Sequence, residues 1–117
     1  MEEQLVSIIV PVYNMAEVLY TSAKTFINQT YKNLEIIMID DGSADDSLRV
    51  MQQLAAADTR IRVYHQENQG AAGARNTGMS HASGKYYYFP DADDRIKENA
   101  VEKLVSEIGR ASCRERV

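Results

Sequence analysis

Three carboxylates lie within four residues at the end of an aromatic run: Asp91, Asp93 and Asp94 follow the stretch YYYFP. Like charges at this spacing repel each other, so the cluster needs a positive partner. Asp91 and Asp93 form a D-x-D pair, and two carboxylates so placed can share a hard divalent cation such as Mg²⁺ or Mn²⁺. A solvated acidic turn before a helix is the alternative explanation for so short a motif.

Further residues with ligand-binding chemistry follow other apolar stretches. Asp40 ends the run LEIIMID, and Asp41 follows it directly before Gly-Ser. Such carboxylates can accept hydrogen bonds from a nucleobase imide or ribose hydroxyls, although ordinary turn chemistry explains the same residues. Tyr13 could stack on a nucleobase or pack against a sheet edge. Arg75, in the small-residue stretch NQGAAGARNTG, could reach a diphosphate, although tight helix packing explains the alanines Ala71, Ala72 and Ala74 there.

The stretches that carry these residues alternate between strand and helix patterns. Continuous apolar runs are typical of strands buried on both faces of a parallel sheet. The order is βαβαβαβ plus a helix, which predicts an α/β fold with right-handed crossovers and helices on both faces of the sheet. Because ligands bind at the carboxyl ends of such strands, we expect the four loops to converge there. The predicted strands cover residues 5–12, 34–40, 61–66 and 84–90.

Helix starts and histidines give more local predictions. Asn14 precedes the helix predicted over about 15–29 and is its predicted N-cap, in a capping box with Glu17. The alternative role of Glu17 is to bind a base or ribose. Ser43 is the predicted cap of the second helix. His65 and His81 show no metal-ligand spacing, and both are predicted to be surface or packing residues.

Composition excludes several classes of protein. A net charge of −4 over 117 residues argues against a nucleic-acid surface. The sequence contains no run of about 18 apolar residues, so it predicts no membrane span, and no secretory signal is visible. The single cysteine, Cys113, cannot form an internal disulfide and suits a reducing compartment. We therefore expect the protein in the cytoplasm, either free or at the inner face of the membrane.

The final eleven residues, EIGRASCRERV, resemble the translation of a sequencing-library adapter. On that interpretation, residues 107–117 are a non-native tail that includes Cys113, and the natural sequence covers 1–106. The alternative is an ordinary basic helix end.

Four stretches together resemble the family 2 glycosyltransferases: VSIIVPVYN, IIMIDDGSADDS, NQGAAGARNTGM and YYYFPDADD. They occur in order at the family's spacing, from about Val6 to Val105. The resemblance implies a GT-A fold, a Rossmann-like three-layer α/β sandwich with a mostly parallel sheet. The chain would be truncated after the fourth strand and its following helix, so residues 1–106 would form the nucleotide-sugar-binding half of the domain.

The resemblance also implies a donor site. Pro11 and Tyr13 would line the base pocket. Asp41, together with Asp40, would form hydrogen bonds with the uracil. Asp93 would ligate the metal, with Asp91 near the metal or ribose and Asp94 as a supporting acid. Arg75 would lie near the phosphates. The donor-binding residues implied are Pro11, Tyr13, Asp40, Asp41, Arg75 and Asp91, and the metal-binding residues are Asp93 and Asp91.

The implied reaction is an inverting transfer of a sugar from a nucleotide-diphospho-sugar, with UDP as the expected nucleotide. It requires Mn²⁺ or Mg²⁺ and serves polysaccharide or glycoconjugate synthesis. The acceptor is a hydroxyl of an unknown carbohydrate or lipid-linked molecule. The family's catalytic base lies in its second half, and nothing after Asp94 matches it. We therefore expect donor binding without turnover. The alternatives are a non-catalytic nucleotide-binding module and a nucleotidyltransferase, although PVYNMAEV lacks the glycine-rich loop of the latter.

Overall fold

The computed structural model describes residues 4–111, and its strands and helices alternate in the predicted order. Residues 112–117, which contain Cys113 and most of the predicted tail, lie outside the described residues. No helix among residues 4–111 has the length and apolar content that crossing a bilayer requires. The elements are β1 (Val6–Val12), α1 (Ala16–Ile27), β2 (Leu34–Asp41), α2 (Ser47–Ala57), β3 (Ile61–Gln66), α3 (Gly70–His81), β4 (Tyr86–Tyr88) and α4 (Ala100–Ala111).

The four strands form one parallel sheet in the order β3-β2-β1-β4. β1 lies inside the sheet, with β2 on one side and β4 on the other. Because every strand runs in the same direction, all four following loops leave from one edge. The chain changes direction across the sheet at β1, and ligands of open α/β sheets bind at such a switch point.

Side chains of the central strands alternate between two cores, one on each face of the sheet. Ile8 and Val10 face a large core built with α1, α2 and α4. Ile9 and Ile37 face a smaller core closed by Ala74 of α3. The structure therefore has three layers, as the resemblance implied. β4 is shorter than predicted at both ends, and at its C-terminal end Pro90 has no backbone N–H with which to extend the pairing.

The predicted capping box at the start of α1 is wrong. α1 begins at Ala16, and Met15 occupies the cap position without a side-chain hydrogen bond. Asn14 has a φ of 53°, in the left-handed region. Its side-chain oxygen accepts the Ala44 N–H at 2.8 Å, and its own N–H donates to Ser43 Oγ at 2.9 Å. Asn14 therefore joins the loop after β1 to the loop after β2.

The start of α2 also differs from the prediction, because α2 begins at Ser47 rather than near Ser43. Asp45 Oδ1 accepts the Ser47 N–H at 2.9 Å, and its Oδ2 accepts the Ala16 N–H at 3.1 Å. Ser47 Oγ accepts the Met15 N–H at 2.8 Å. The hydrogen bond from the Ser47 hydroxyl lowers the pKa of Asp45. The first N–H groups of α1 are thus bonded by side chains from the β2–α2 region.

Helix α3 approaches the sheet closely at Gly78. A Cβ placed there would overlap Ile9 Cγ2 and come within 2.8 Å of Ile39 Cδ1. Both isoleucines are fully buried, so neither can move aside without disturbing the core.

We predict that Gly78→Ala lowers the free energy of unfolding by about 1 kcal/mol. Overpacking costs about 1–3 kcal/mol, which exceeds the gain in helix propensity of about 1 kcal/mol. Urea denaturation of the two proteins measures the difference. Ser80→Ala, an exposed change on the same helix, is the control and should stay within about 0.5 kcal/mol of wild type. A Gly78→Ala protein more stable than wild type would contradict this account of the packing.

Candidate functional site

A pocket of about 360 Å³ opens at the carboxyl edge of the sheet. It lies where the loops after β1, β2 and β4 meet the start of α3. With the exception of Asp40, Arg75 and the supporting acid Asp94, the residues implied by the resemblance to form the donor and metal site all line it. The lining residues are Pro11, Val12, Tyr13, Met15, Asp41, Ala71, Asp91, Ala92 and Asp93.

The pocket combines apolar side chains from the end of β1 with carboxylates that follow the neighbouring strands β2 and β4. Pro11, Tyr13 and Met15 come from the end of β1 and the following loop. The Tyr13 side chain is half exposed, and the next residue, Asn14, has a left-handed backbone conformation. Sequence reasoning missed Met15, whose helical spacing gave no reason to separate it from core residues.

The alanines of α3 separate into two groups. Ala74 is fully buried against the sheet, which confirms its predicted packing role. Ala71 is exposed and lines the pocket, and Ala72 is also exposed, so the packing prediction is wrong for both. The first turn of α3 therefore presents a small side chain to the pocket, which leaves room for a ligand near the helix N-terminus.

Asp41 lies in the pocket wall and also caps α3. Its carboxylate is buried, and Oδ1 accepts the Gln66 side-chain amide and the Gln69 N–H, both at 2.9 Å. Oδ2 accepts the Gly70 N–H at 2.9 Å. A carboxylate offers about four acceptor positions. The three internal bonds therefore leave Oδ2 able to accept one further donor from a ligand.

Asp40 faces the other side of the sheet, so the structure does not bring it into the pocket. Successive strand residues point to opposite faces. The Asp40 carboxylate is 1% exposed and accepts bonds from His65 Nδ1 at 2.7 Å and from the Ser43 N–H at 3.2 Å. His65 is a surface residue as predicted, with a side chain 56% exposed. Its pairing with Asp40 was missed because it joins two strands 25 residues apart.

The predicted acidic cluster forms a tight turn at the pocket mouth. Carboxylate oxygens of Asp91, Asp93 and Asp94 lie within 4.8 Å of one another. The Asp94 N–H donates to the Asp91 carbonyl at 3.0 Å, and the Asp91 N–H donates to Asp94 Oδ2 at 2.8 Å. Between them, Ala92 is buried in the large core and anchors the turn. An all-oxygen donor set of this kind suits Mg²⁺ or Mn²⁺.

Arg75 gives the acidic turn a positive neighbour. Its guanidinium projects from α3 and lies 3.6 Å from Asp91 Oδ1. Both side chains are substantially exposed, and such an ion pair contributes only about 0–1 kcal/mol to stability. A phosphate or a cation can therefore replace either partner at little cost, which makes this pair a feature of the site rather than of the core.

Tyr88, on β4, lies next to the acidic turn, and the charge of the turn affects the pKa of its hydroxyl. Burial raises the pKa of the Tyr88 hydroxyl, and the negative charge of Asp94 raises it further. Tyr88 also packs against the large core, so its ring connects the turn to the sheet.

Comparison with known proteins identifies this arrangement. The model that describes glycosyl transferase family 2 matches residues 7–113. The chain belongs to glycosyl transferase family 2. The match extends past residue 107, and α4 continues to Ala111, so the adapter interpretation of residues 107–117 has no support from the comparisons.

Two glycosyltransferases of Streptococcus pneumoniae serotype 4 are among the similar proteins. GlyG is 43% identical over 106 residues, which cover 90% of this chain and 35% of GlyG. GlyA is 43% identical over 103 residues, which cover 88% of this chain and 15% of GlyA. The chain thus spans about a third or less of the length of these relatives.

Two solved structures share the fold. Staphylococcus aureus TarS, residues 1–349 in complex with UDP, has a TM-score of 0.81 at 24% identity, over 90% of this chain and 32% of that one. The mannosyltransferase PcManGT of Pyrobaculum calidifontis, in complex with GDP-Man and Mn²⁺, has a TM-score of 0.83 at 26% identity, over 88% of this chain and 32% of that one. These likenesses confirm the predicted GT-A-like α/β fold.

We predict that Asp94→Asn lowers the pKa of Tyr88 towards its ordinary value, because one of the two causes of the shift is removed. Burial remains, so the pKa should stay above about 10. Titration of the tyrosine ring signals by NMR measures the change. Asp46→Asn, which removes the same charge at the start of α2, is the control. An unchanged Tyr88 pKa in Asp94→Asn would mean that the turn is not placed as described.

Proposed function

We propose that this chain is the donor-binding part of a metal-dependent, inverting glycosyltransferase that uses a nucleotide-diphospho-sugar. One observation supports this above the others: a single pocket joins an apolar wall, a buried carboxylate and a three-carboxylate turn in a family 2 chain. The apolar wall suits a flat base, and the acidic turn suits the cation that accompanies a diphosphate. The predicted cytoplasmic location stays a prediction.

The Asp41 side and the acidic-turn side of the pocket suit different parts of the donor, and this difference sets the orientation that we propose for it. We place the base against Pro11 and Tyr13, where stacking on an aromatic ring is favourable. The free acceptor position on Asp41 Oδ2 suits an imide N–H, which uracil carries. The diphosphate would then lie toward the acidic turn, within reach of Arg75. UDP is the nucleotide we propose.

The metal belongs at the acidic turn. Asp91 and Asp93 are the proposed ligands, and Asp94 keeps them together through its bond to the Asp91 N–H. The PcManGT complex contains both GDP-Man and Mn²⁺, which supports this choice. When bound, such an ion stabilises the negative charge of a leaving diphosphate.

In an inverting transfer the acceptor hydroxyl attacks the anomeric carbon, the bond to the diphosphate breaks and a base takes the hydroxyl proton. We assign no base among residues 4–111, because Asp41 already bonds the start of α3 and the acidic turn is assigned to the cation. We propose that this chain binds donor without turnover, and that the part of the relatives beyond the matched third supplies the base.

A non-catalytic nucleotide-binding module is the second candidate. The limited share of the relatives that this chain spans favours keeping it. The pocket would be used in the same way, so only the activity of the whole protein separates the two candidates. No observation favours a nucleotidyltransferase.

We predict that the chain binds UDP in a Mn²⁺-dependent manner and that Asp93→Asn weakens this binding by about tenfold or more, the scale of losses at metal sites. Isothermal titration calorimetry with UDP, with and without Mn²⁺, measures the effect. Asp46→Asn makes the same charge change outside the pocket and should bind as wild type.

Two results would count against this proposal. UDP binding that is equal with and without Mn²⁺, or equal in Asp93→Asn and wild type, would remove the metal from the acidic turn. UDP release from a UDP-sugar in the presence of acceptor would show turnover, and the donor-only role would be wrong.

A further inference from the structure

The acidic turn belongs to a segment with no helix or strand, residues 89–99, between β4 and α4. Such a segment needs anchors if its carboxylates are to remain within 4.8 Å of one another. Ala92 anchors the turn itself. The other anchor holds the chain on the C-terminal side of the turn, and it comes from Gln29, just after the end of α1.

We infer that Gln29 is a positioning residue for the metal site: by holding the backbone at 97–101 it sets the place of the acidic turn. The inference rests on the proposed metal-binding function of that turn. Gln29 does not line the pocket, so it would act through the chain and not by touching a ligand.

The Gln29 side chain is fully buried and all its hydrogen bonds are internal. Nε2 donates to the Lys97 carbonyl at 2.7 Å and to the Thr25 carbonyl at 2.9 Å. Oε1 accepts the Val101 N–H at 2.9 Å. A buried carboxamide is costly unless it is bonded in this way. Val101 lies in the first turn of α4, so Gln29 also caps that helix.

Neighbours of Gln29 extend the contact along the segment. Thr25 Oγ1 accepts the Ile96 N–H at 3.3 Å. The Thr30 N–H donates to the Glu98 carbonyl at 2.7 Å, and Thr30 Oγ1 donates to Glu102 Oε1 at 2.6 Å. Every one of these bonds comes from the last turn of α1 or the residues just after it. Together these hydrogen bonds hold the backbone from residue 96 onward, and residue 96 is two positions after Asp94.

This arrangement explains how a turn without regular structure can hold three like charges. Groups beyond the ligands orient metal sites, and their loss typically costs 10–100-fold in affinity. Of the side chains of Thr25, Gln29 and Thr30, only that of Gln29 binds both a carbonyl and an N–H of residues 96–101. Its loss should therefore release the turn more than the loss of either threonine contact.

The experiment is a Mn²⁺ titration of the 117-residue chain, followed by paramagnetic broadening of the amide NMR signals of residues 91–94. We expect Gln29→Met, which keeps the side-chain length and removes all three bonds, to weaken Mn²⁺ binding by about tenfold or more. Hydrogen exchange at the Asp94 amide, which donates within the turn, gives a second readout that needs no metal. We expect that exchange to become faster.

Arg60→Met is the matched control. The Arg60 guanidinium donates to the Ile27 carbonyl at 3.0 Å and to the Lys32 carbonyl at 3.3 Å, so it also ties the end of α1. Its described bonds go to these carbonyls and to Asp58, and not to the segment 96–101. The control should lose stability while it keeps wild-type Mn²⁺ binding and wild-type exchange at Asp94.

The outcomes separate the inference from the proposed function. If wild type broadens at 91–94 but Gln29→Met gives the same titration and exchange, the inference is wrong and the metal site remains. Equal losses in Gln29→Met and Arg60→Met would also overturn it, since general destabilisation would explain both.

If wild type shows no broadening at 91–94, the metal site is wrong, and Asp94 exchange decides whether Gln29 positions the turn. If Gln29→Met does not fold, Gln29→Glu replaces it with the same two readouts and the same criteria, since it keeps the acceptor for the Val101 N–H and removes the donor to the Lys97 carbonyl.

Discussion

The parallel pairing of β1 with β2 on one side and β4 on the other is the constraint on which the rest of this structure depends. Three apolar strands of one direction can bury both faces only if helices cross back over them, so their loops must leave from a common edge. The pocket, the cap of α3 and the acidic turn all lie at that edge. Side chains that lie as far apart in the sequence as Pro11 and Asp93 thereby line one pocket.

Helix starts show a second regularity. The first N–H groups of α1, α3 and α4 are bonded by side chains from other segments: Asp45 and Ser47, Asp41, and Gln29. Each cap therefore forms only when two distant segments have docked. Ordinary caps stabilise a helix before it packs, whereas these link helix formation to tertiary structure and hold the loops around the pocket at fixed positions.

This regularity explains which features could be predicted from the sequence. Apolar runs located the buried strands and apolar periodicity located α1 and α2, because burial on the sheet leaves a local pattern, whereas α3 was predicted from its small residues. The D-x-D pair and Asp41 were found because their residue types and strand-end positions are visible locally. The caps predicted at Asn14 and Ser43 were wrong. Capping rules consider hydrogen bonds to residues about three positions further along the chain, whereas the hydrogen-bond partners of these two side chains lie about 30 residues away. The separation of Asp40 from Asp41 was missed because only the sheet register assigns their faces.

The exposed pair of Arg75 and Asp91 has a consequence for the energetics of ligand binding. Without ligands, each group neutralises the other across 3.6 Å. A cation that takes Asp91 leaves the guanidinium free, and an anion that takes Arg75 leaves the carboxylate free. Whichever binds first bears the cost of separating the pair, and the second binds without it. Cation and anion would therefore bind with positive cooperativity, and by linkage each would raise the affinity of the other by the same factor.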